Sequence, residues 1–93
     1  MHKVIFSPKA EDAYLAILEH YYHFSIDFAL LLEEKLDRLI SNLRKFKKLC
    51  PPSKMLPGIR RCVLTENISL VYQVIENDIH VISVYDSRTD HLF

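Results

Sequence analysis

The first half of the chain carries apolar side chains at helical spacing, in two successive stripes. Ser7 and Pro8 are suited to the N-cap and first position of a helix, and Ser25 can cap a second one. The first stripe comprises Ala10, Ala13, Tyr14, Ile17, Leu18 and Tyr21. The second comprises Phe28, Leu32, Leu36, Leu39, Ile40, Leu43 and Phe46. We expect a break at 22–24 and an antiparallel helical hairpin with one shared apolar side.

The second half changes to runs rich in Val, Ile, Tyr and Leu, which are typical of strands. Runs at 59–65, 68–75 and 79–85 are separated by two and three residues, and connections this short permit only hairpins. We therefore predict an antiparallel meander, joined by a short N-terminal strand at 3–6 and covered on one face by the helices. The order β-α-α-β-β-β is a two-layer α+β fold, and the length allows one domain over 1–93.

The net charge is zero, but the charges are segregated along the chain. Residues 1–37 hold three Lys or Arg and seven acids, whereas residues 38–61 hold eight Lys or Arg and no acid. Residues 62–93 hold one Arg and five acids. The basic block can bind a polyanion or an acidic protein segment. Its lysines, however, are well explained by compensation of a helix dipole: Lys45, Lys47 and Lys48.

Compartment and metal content follow from what the chain lacks. No apolar run approaches the length of about 20 residues that crosses a membrane, and Ser7-Pro8 comes too early for a signal peptide. We expect a cytoplasmic protein with no membrane partner, in which Cys50 and Cys62 are thiols, although a disulfide between them is possible. His20 and His23 are too few to form a zinc site, so we expect no metal and no cofactor.

Four segments resemble motifs of one toxin superfamily, in the same order. The sequence IFSPKAED at 5–12 resembles its first strand and helix start, and LPGIRR at 56–61 resembles its entry into the second strand. The sequence VYQV at 71–74 is similar to its central strand, and VYDSR at 84–88 to its last strand with a terminal arginine. By order, spacing and length, the chain is identified as a member of the RelE/ParE toxin superfamily.

The resemblance implies the toxin of a type II toxin–antitoxin pair, a growth inhibitor of the plasmid-stabilisation type. A cognate antitoxin would neutralise it in a hetero-oligomer. RelE-like members cut messenger RNA on the ribosome, whereas ParE-like members inhibit DNA gyrase and show no nuclease activity. A third alternative is a non-toxic module that only binds its antitoxin. Because one fold carries several activities, the choice among these three functions depends on the site residues.

The candidate site residues are mostly cations. By resemblance, one of Arg60 and Arg61, together with Arg88, matches the arginines that RelE-like enzymes place at the phosphate. Lys54 lies near a stretch that supplies lysines in some of them. Because successive strand residues point to opposite faces, only one of Arg60 and Arg61 can face the open side. The candidate catalytic residues are Arg60, Arg61, Arg88 and His91. The candidate target-binding residues are Lys54, Arg60, Arg61, Arg88 and Tyr85.

A metal-independent endoribonuclease also needs a general base and a general acid. His91 is the single histidine near the C-terminus, and the basic block contains no Glu. The Asp86-Ser87-Arg88 ending looks more like the ParE branch, so we favour gyrase inhibition and leave enzymatic activity open. Ordinary structural roles remain open as well: a strand-edge charge for Arg60 or Arg61, a surface pair with Asp86 for Arg88 and a half-buried sheet residue for Tyr85.

Overall fold

The computed structural model describes residues 1–88. His91, a candidate catalytic residue, lies outside the described residues. The elements are β1 (Val4–Phe6), α1 (Pro8–Phe24), α2 (Ile26–Lys45), β2 (Arg60–Val63), β3 (Ile68–Ile75) and β4 (Asp78–Asp86). The predicted α+β fold with the order β-α-α-β-β-β is therefore confirmed.

The four strands form one sheet in the order β1-β4-β3-β2. Strands β2, β3 and β4 are the predicted antiparallel meander, and β1 pairs in parallel with β4. Strands β3 and β4 are joined by Glu76 and Asn77 alone, whose φ angles are 51° and 71°. Two successive positive φ angles define the type I′ turn, which matches the twist of a tight hairpin.

The two helices are separated by a single residue, and the break predicted at 22–24 is wrong. Helix α1 continues through that segment and ends because Ser25 is extended, with φ −158° and ψ 106°. The backbone N–H of Ser25 donates to the Tyr21 carbonyl at 2.6 Å, while its Oγ accepts from the Phe28 N–H at 3.3 Å. One serine thus ends α1 and caps α2.

The core lies between the helices and one face of the sheet. Leu32, Leu36 and Leu43 of α2 are buried with Leu70 and Tyr72 of β3. Burial of an aliphatic side chain of this size contributes about 1.5–3 kcal/mol, so this layer accounts for much of the stability of a small domain. Phe46, predicted to extend the α2 stripe, is instead 60% exposed, because the helix has already ended at Lys45.

The cysteines differ from the expectation of free thiols: Cys50 and Cys62 form a disulfide bond. Their Cα atoms lie 5.3 Å apart, inside the range that a disulfide requires. The bond joins the loop after α2 to the middle of β2. Among residues 1–88, no helix is both long enough and apolar enough to cross a membrane.

Candidate functional site

Arg61 and Lys54 line one cleft beside strand β2, which we call the loop cleft. Its walls are the loop after α2 and the outer side of β2, with apolar contributions from Leu49, Met55 and Val63. The cleft has a volume of about 560 Å³ and opens to solvent. It therefore combines two cations with apolar walls, an arrangement that can hold an acidic or phosphate-bearing surface with an apolar neighbour.

Strand alternation separates the two neighbouring arginines, as the sequence predicts. Arg61 is exposed on the face opposite the helices, and its Nε donates to Ser69 Oγ at 3.3 Å. Arg60 is opposite Tyr72 on the core side and is partly buried. Its Nη1 donates to the Cys50 carbonyl at 2.6 Å, which ties the start of the loop to β2. Arg61 is thus the one that faces the open side.

Tyr85 lies on the same face of the sheet as Arg61. It pairs directly with Ser69, the residue that accepts the Arg61 hydrogen bond. Tyr85 is nevertheless only 4% exposed. Tyr85 therefore has little surface to offer a target directly, and its predicted role as a target contact stays a prediction.

Arg88 belongs to a second cluster, at the end of β4 on the helix-covered side. Its Nε and Nη2 donate to the two carboxylate oxygens of Asp86 at 3.1 and 2.8 Å, a bidentate pair. Arg88 Nη2 also contacts the Tyr21 hydroxyl, and that hydroxyl donates to Asp86 Oδ2 at 3.2 Å. The Arg88 side chain remains 54% exposed, so the cluster fixes a guanidinium that is still open to solvent. We call these three residues the Arg88 cluster.

The electrostatics of the Arg88 cluster follow from this pairing. Hydrogen bonds from the Arg88 side chain hold the pKa of Asp86 below its usual value, against an opposing effect of burial. The same pair raises the pKa of Arg88. Burial, and then the Asp86 charge, raise the pKa of Tyr21. Around neutral pH, Asp86 is consequently a carboxylate, Arg88 a cation and Tyr21 a neutral phenol.

Sequence reasoning missed Tyr21 as a member of this cluster. It is the last apolar position of the α1 stripe, and 67 residues separate it from Arg88. Its ring lies 5.9 Å from the guanidinium carbon and 4.4 Å from the Phe28 ring. A tyrosine, rather than an aliphatic residue, at the end of a buried stripe was the available signal, because a buried hydroxyl needs a partner.

The structure does not unite the predicted site residues in one place. Arg61 and Lys54 share the loop cleft, whereas Arg60 and Arg88 are on the helix-covered side of the sheet. Arg88 instead borders a groove of about 340 Å³ lined by Phe24 and Phe28. Among the residues described, no group of three or more His, Cys, Asp or Glu is placed to hold a metal ion.

Comparison of the sequence with models of known families finds a match. A sequence model of the family described as the ParE toxin of the type II toxin–antitoxin system parDE matches residues 4–91. The chain belongs to the ParE toxin family. A search of the curated proteins finds no match.

Solved toxins of the same superfamily share the fold of this ParE-family chain. It is similar to a chain of the chromosomal ParDE system of P. aeruginosa, with a TM-score of 0.76, 19% identity and coverage of 92% of this chain and 96% of that one. The YoeB/ParE toxin of Agrobacterium tumefaciens matches with a TM-score of 0.68 and 19% identity, over 90% of this chain and 96% of that one. A chain of the YoeB–YefM complex of Staphylococcus aureus matches with a TM-score of 0.59 and 18% identity, over 90% of this chain and 94% of that one. At these identities the likeness extends to the fold alone.

Proposed function

We propose that this toxin is a ParE-like growth inhibitor that acts on DNA gyrase in the cytoplasm and is neutralised by a cognate antitoxin. The observation that carries the proposal is the make-up of the loop cleft. It presents Arg61 and Lys54, and none of the described residues that line it is Asp, Glu or His. The described lining thus offers cations to an acidic partner and no carboxylate or imidazole to take a proton from a ribose hydroxyl.

The placement of the remaining arginines supports the same choice. A ribonuclease needs its cations around one phosphate, yet Arg61 and Arg88 are on opposite faces of the sheet. The Arg88 guanidinium is moreover already paired with the Asp86 carboxylate. Two separated cationic sites suit contacts to a large protein better than they suit attack on a single phosphodiester.

An antitoxin partner is supported by apolar surface at the helix hairpin. Phe24, Ile26 and Leu30 are 81%, 61% and 51% exposed on adjoining turns of α1 and α2. Exposed apolar patches mark protein-binding surfaces, and the structural neighbour from Staphylococcus aureus is a complex of YoeB with YefM. We therefore expect Phe24→Ser to weaken binding of the cognate antitoxin, as measured by calorimetry. Leu15→Ser, an equally polar change at an exposed site of α1, is the matched control.

The target is tested with two purified systems run in parallel. We expect the toxin to inhibit supercoiling by gyrase and to leave messenger RNA intact in a reconstituted translation reaction. Arg61→Ala or Arg88→Ala should abolish growth arrest while the circular dichroism spectrum is unchanged. Arg38→Ala, which removes an exposed arginine paired with Glu34, should retain toxicity.

Three results would contradict the proposal. Codon-positioned cuts that disappear in Arg88→Ala would make the protein a RelE-like ribosome-dependent endoribonuclease. Unchanged growth arrest by both arginine variants would remove these residues from the site. Absence of any growth arrest by the wild-type toxin would leave a module that only binds its antitoxin.

A further inference from the structure

The disulfide stands at the boundary of the loop cleft. Cys50 is 7% exposed and Cys62 is 3% exposed, yet both belong to the cleft wall that carries Lys54 and Arg61. The bond closes a ring over a sequence separation of 12 residues, and Lys54 is inside that ring. The covalent link therefore fixes the distance between the strand that bears Arg61 and the loop that bears Lys54.

Hydrogen bonds hold this loop mainly near its two ends. The Arg61 N–H donates to the Pro51 carbonyl at 3.0 Å, and the Ser53 N–H donates to the Ile59 carbonyl at 2.7 Å. Between them, residues 54–58 are exposed, and Pro51, Pro52 and Pro57 have no N–H to donate. With so few contacts to the core, the loop is a segment whose local opening is controlled by its anchor points.

The cytoplasm is a reducing compartment, and this affects how the Cys50–Cys62 bond behaves there. Cytosolic glutathione and thioredoxin keep thiols reduced, and the disulfides that do form there are usually transient or redox-sensing. This step rests on the proposed function, which places the toxin in the cytoplasm. A cysteine pair held within bonding reach in that compartment has two accessible states.

We propose that Cys50 and Cys62 are a reversible thiol–disulfide exchange site, open to dithiol reductants, that fixes the loop cleft when oxidised and releases its Lys54 loop when reduced. The oxidised state presents Lys54 and Arg61 together. In the reduced state only hydrogen bonds hold the loop to β2, so Lys54 is less firmly placed relative to Arg61 and a target that contacts both has to order the loop on binding. The affinity of the toxin for its target thereby depends on the redox state of the cell.

The exchange balances without any other reactant. A thiolate of the dithiol attacks one sulfur of the pair, the S–S bond breaks, and the other cysteine leaves as a thiolate that takes up a proton. The second thiol of the reductant then attacks its own sulfur in the mixed disulfide, and the remaining cysteine leaves as a thiolate that takes up the second proton. The toxin gains two electrons and two protons, and the reductant is oxidised to its own disulfide.

Limited trypsin digestion tests the site without reference to the target. We compare cleavage after Lys54 in oxidised toxin and in toxin reduced with dithiothreitol, with thiols counted by Ellman's reagent. We expect cleavage after Lys54 to accelerate on reduction, while cleavage after Lys35, within α2, stays slow. The Cys50→Ala/Cys62→Ala variant should be cut at the faster rate with or without the reductant.

Two outcomes would overturn the proposal. Equal cleavage rates after Lys54 in both redox states would mean that the bond does not hold the loop. Equal acceleration after Lys35 and Lys54 would mean that reduction unfolds the whole domain rather than releasing one segment.

The gyrase assay separates this inference from the proposed function. An exposed ion pair changes affinity by up to about five-fold, so we expect inhibition by reduced toxin to weaken by about that factor. Faster cleavage after Lys54 with unchanged inhibition would keep the exchange site and remove the loop cleft from the target contact. If neither the oxidised nor the reduced toxin inhibits gyrase, the proposed target is wrong, but the digestion result still holds.

Discussion

At the scale of single residues, Arg88 is held by partners that are distant in sequence. The hydroxyl of Tyr21 contacts both Asp86 and Arg88 from the end of α1. Tyr21 itself is only 9% exposed, so its hydroxyl makes these bonds largely away from water. The guanidinium is therefore oriented by α1 as well as by its own strand.

Removal of the Tyr21 hydroxyl should accordingly destabilise the fold. We expect Tyr21→Phe to lower the free energy of unfolding by about 1 kcal/mol, the usual cost of a lost buried hydrogen bond. Urea titration followed by circular dichroism measures the change. The matched control is Tyr22→Phe, which removes an exposed bond to Glu33 and should change stability little. Equal losses in both variants would show that the hydroxyl of Tyr21 has no special role.

The same cluster predicts how stability depends on pH. Hydrogen bonds from Arg88 hold the pKa of Asp86 below its ordinary value of 3.8 in the folded protein. A depressed folded pKa contributes stability that is complete above the unfolded pKa and is lost as the pH falls through the folded pKa. We therefore expect the stability difference between wild type and Asp86→Asn to be constant above about pH 5 and to shrink in more acidic solution.

The test of this acid dependence is a double-mutant comparison. Unfolding free energies are measured from pH 2 to pH 7 for the wild type, Asp86→Asn, Arg88→Ala and the double variant. In the Arg88→Ala background, Asp86→Asn should have a smaller effect, because the cationic partner of the carboxylate is already gone while the hydrogen bond from Tyr21 remains. A stability difference that grows towards low pH would contradict the assigned direction of the pKa shift.

Some residue positions could be predicted from the sequence and others could not. The opposite orientation of Arg60 and Arg61 follows from strand alternation and was predictable. The contact of Tyr21 with Arg88 depends on how α1 packs on β4, which no local pattern specifies. The disulfide was missed because the expected compartment argued for thiols, whereas the distance between Cys50 and Cys62 is a property of the fold.

At the scale of elements, apolar spacing located both helices and the meander, and errors occurred at the ends. The spacing of apolar residues does not reveal that one extended residue, Ser25, suffices to end α1 and cap α2. Strand β2 is shorter than the run 59–65 that predicted it, because pairing with β3 stops at Val63. Element type was thus set by periodicity, and element length by tertiary pairing.

The β3–β4 turn offers a stabilising substitution at this scale. Glu76 has a φ of 51°, in the left-handed region that costs most residues about 1–2 kcal/mol and that Asn tolerates better. We expect Glu76→Asn to raise the free energy of unfolding by about 0.5–1 kcal/mol. Glu66→Asn removes the same charge from the loop between β2 and β3, where φ is not positive, and serves as the control. Equal gains in a urea titration would assign the effect to charge rather than to backbone strain.

At the scale of the whole molecule, the basic block belongs to one continuous segment of the fold. Residues 38–61 form the end of α2, the loop cleft and the start of β2, whereas the acids belong to the flanking segments. Arg38 is paired with Glu34 and Arg60 with a backbone carbonyl. Arg61 and Lys54 are the cations of the block that line the loop cleft, although the molecule as a whole is neutral.

This charge distribution predicts that salt weakens target binding. Gyrase binding to immobilised toxin, measured between 50 and 200 mM salt, should lose affinity steadily, because screening acts on the exposed cations while the apolar contacts persist. If the contacted groups are duplex phosphates, the logarithmic slope should be about −0.9 for each one neutralised. Arg61→Ala should reduce the slope, by about one unit where the lost contact is a phosphate, whereas Lys9→Ala, on the acidic side of the chain, should leave it unchanged. An equal, non-zero slope in all three proteins would remove Arg61 from the contact. Affinity that does not change with salt in any of them would mean that gyrase is held through apolar contacts, and the exposed patch at Phe24 and Ile26 would then replace the loop cleft as the surface that meets it.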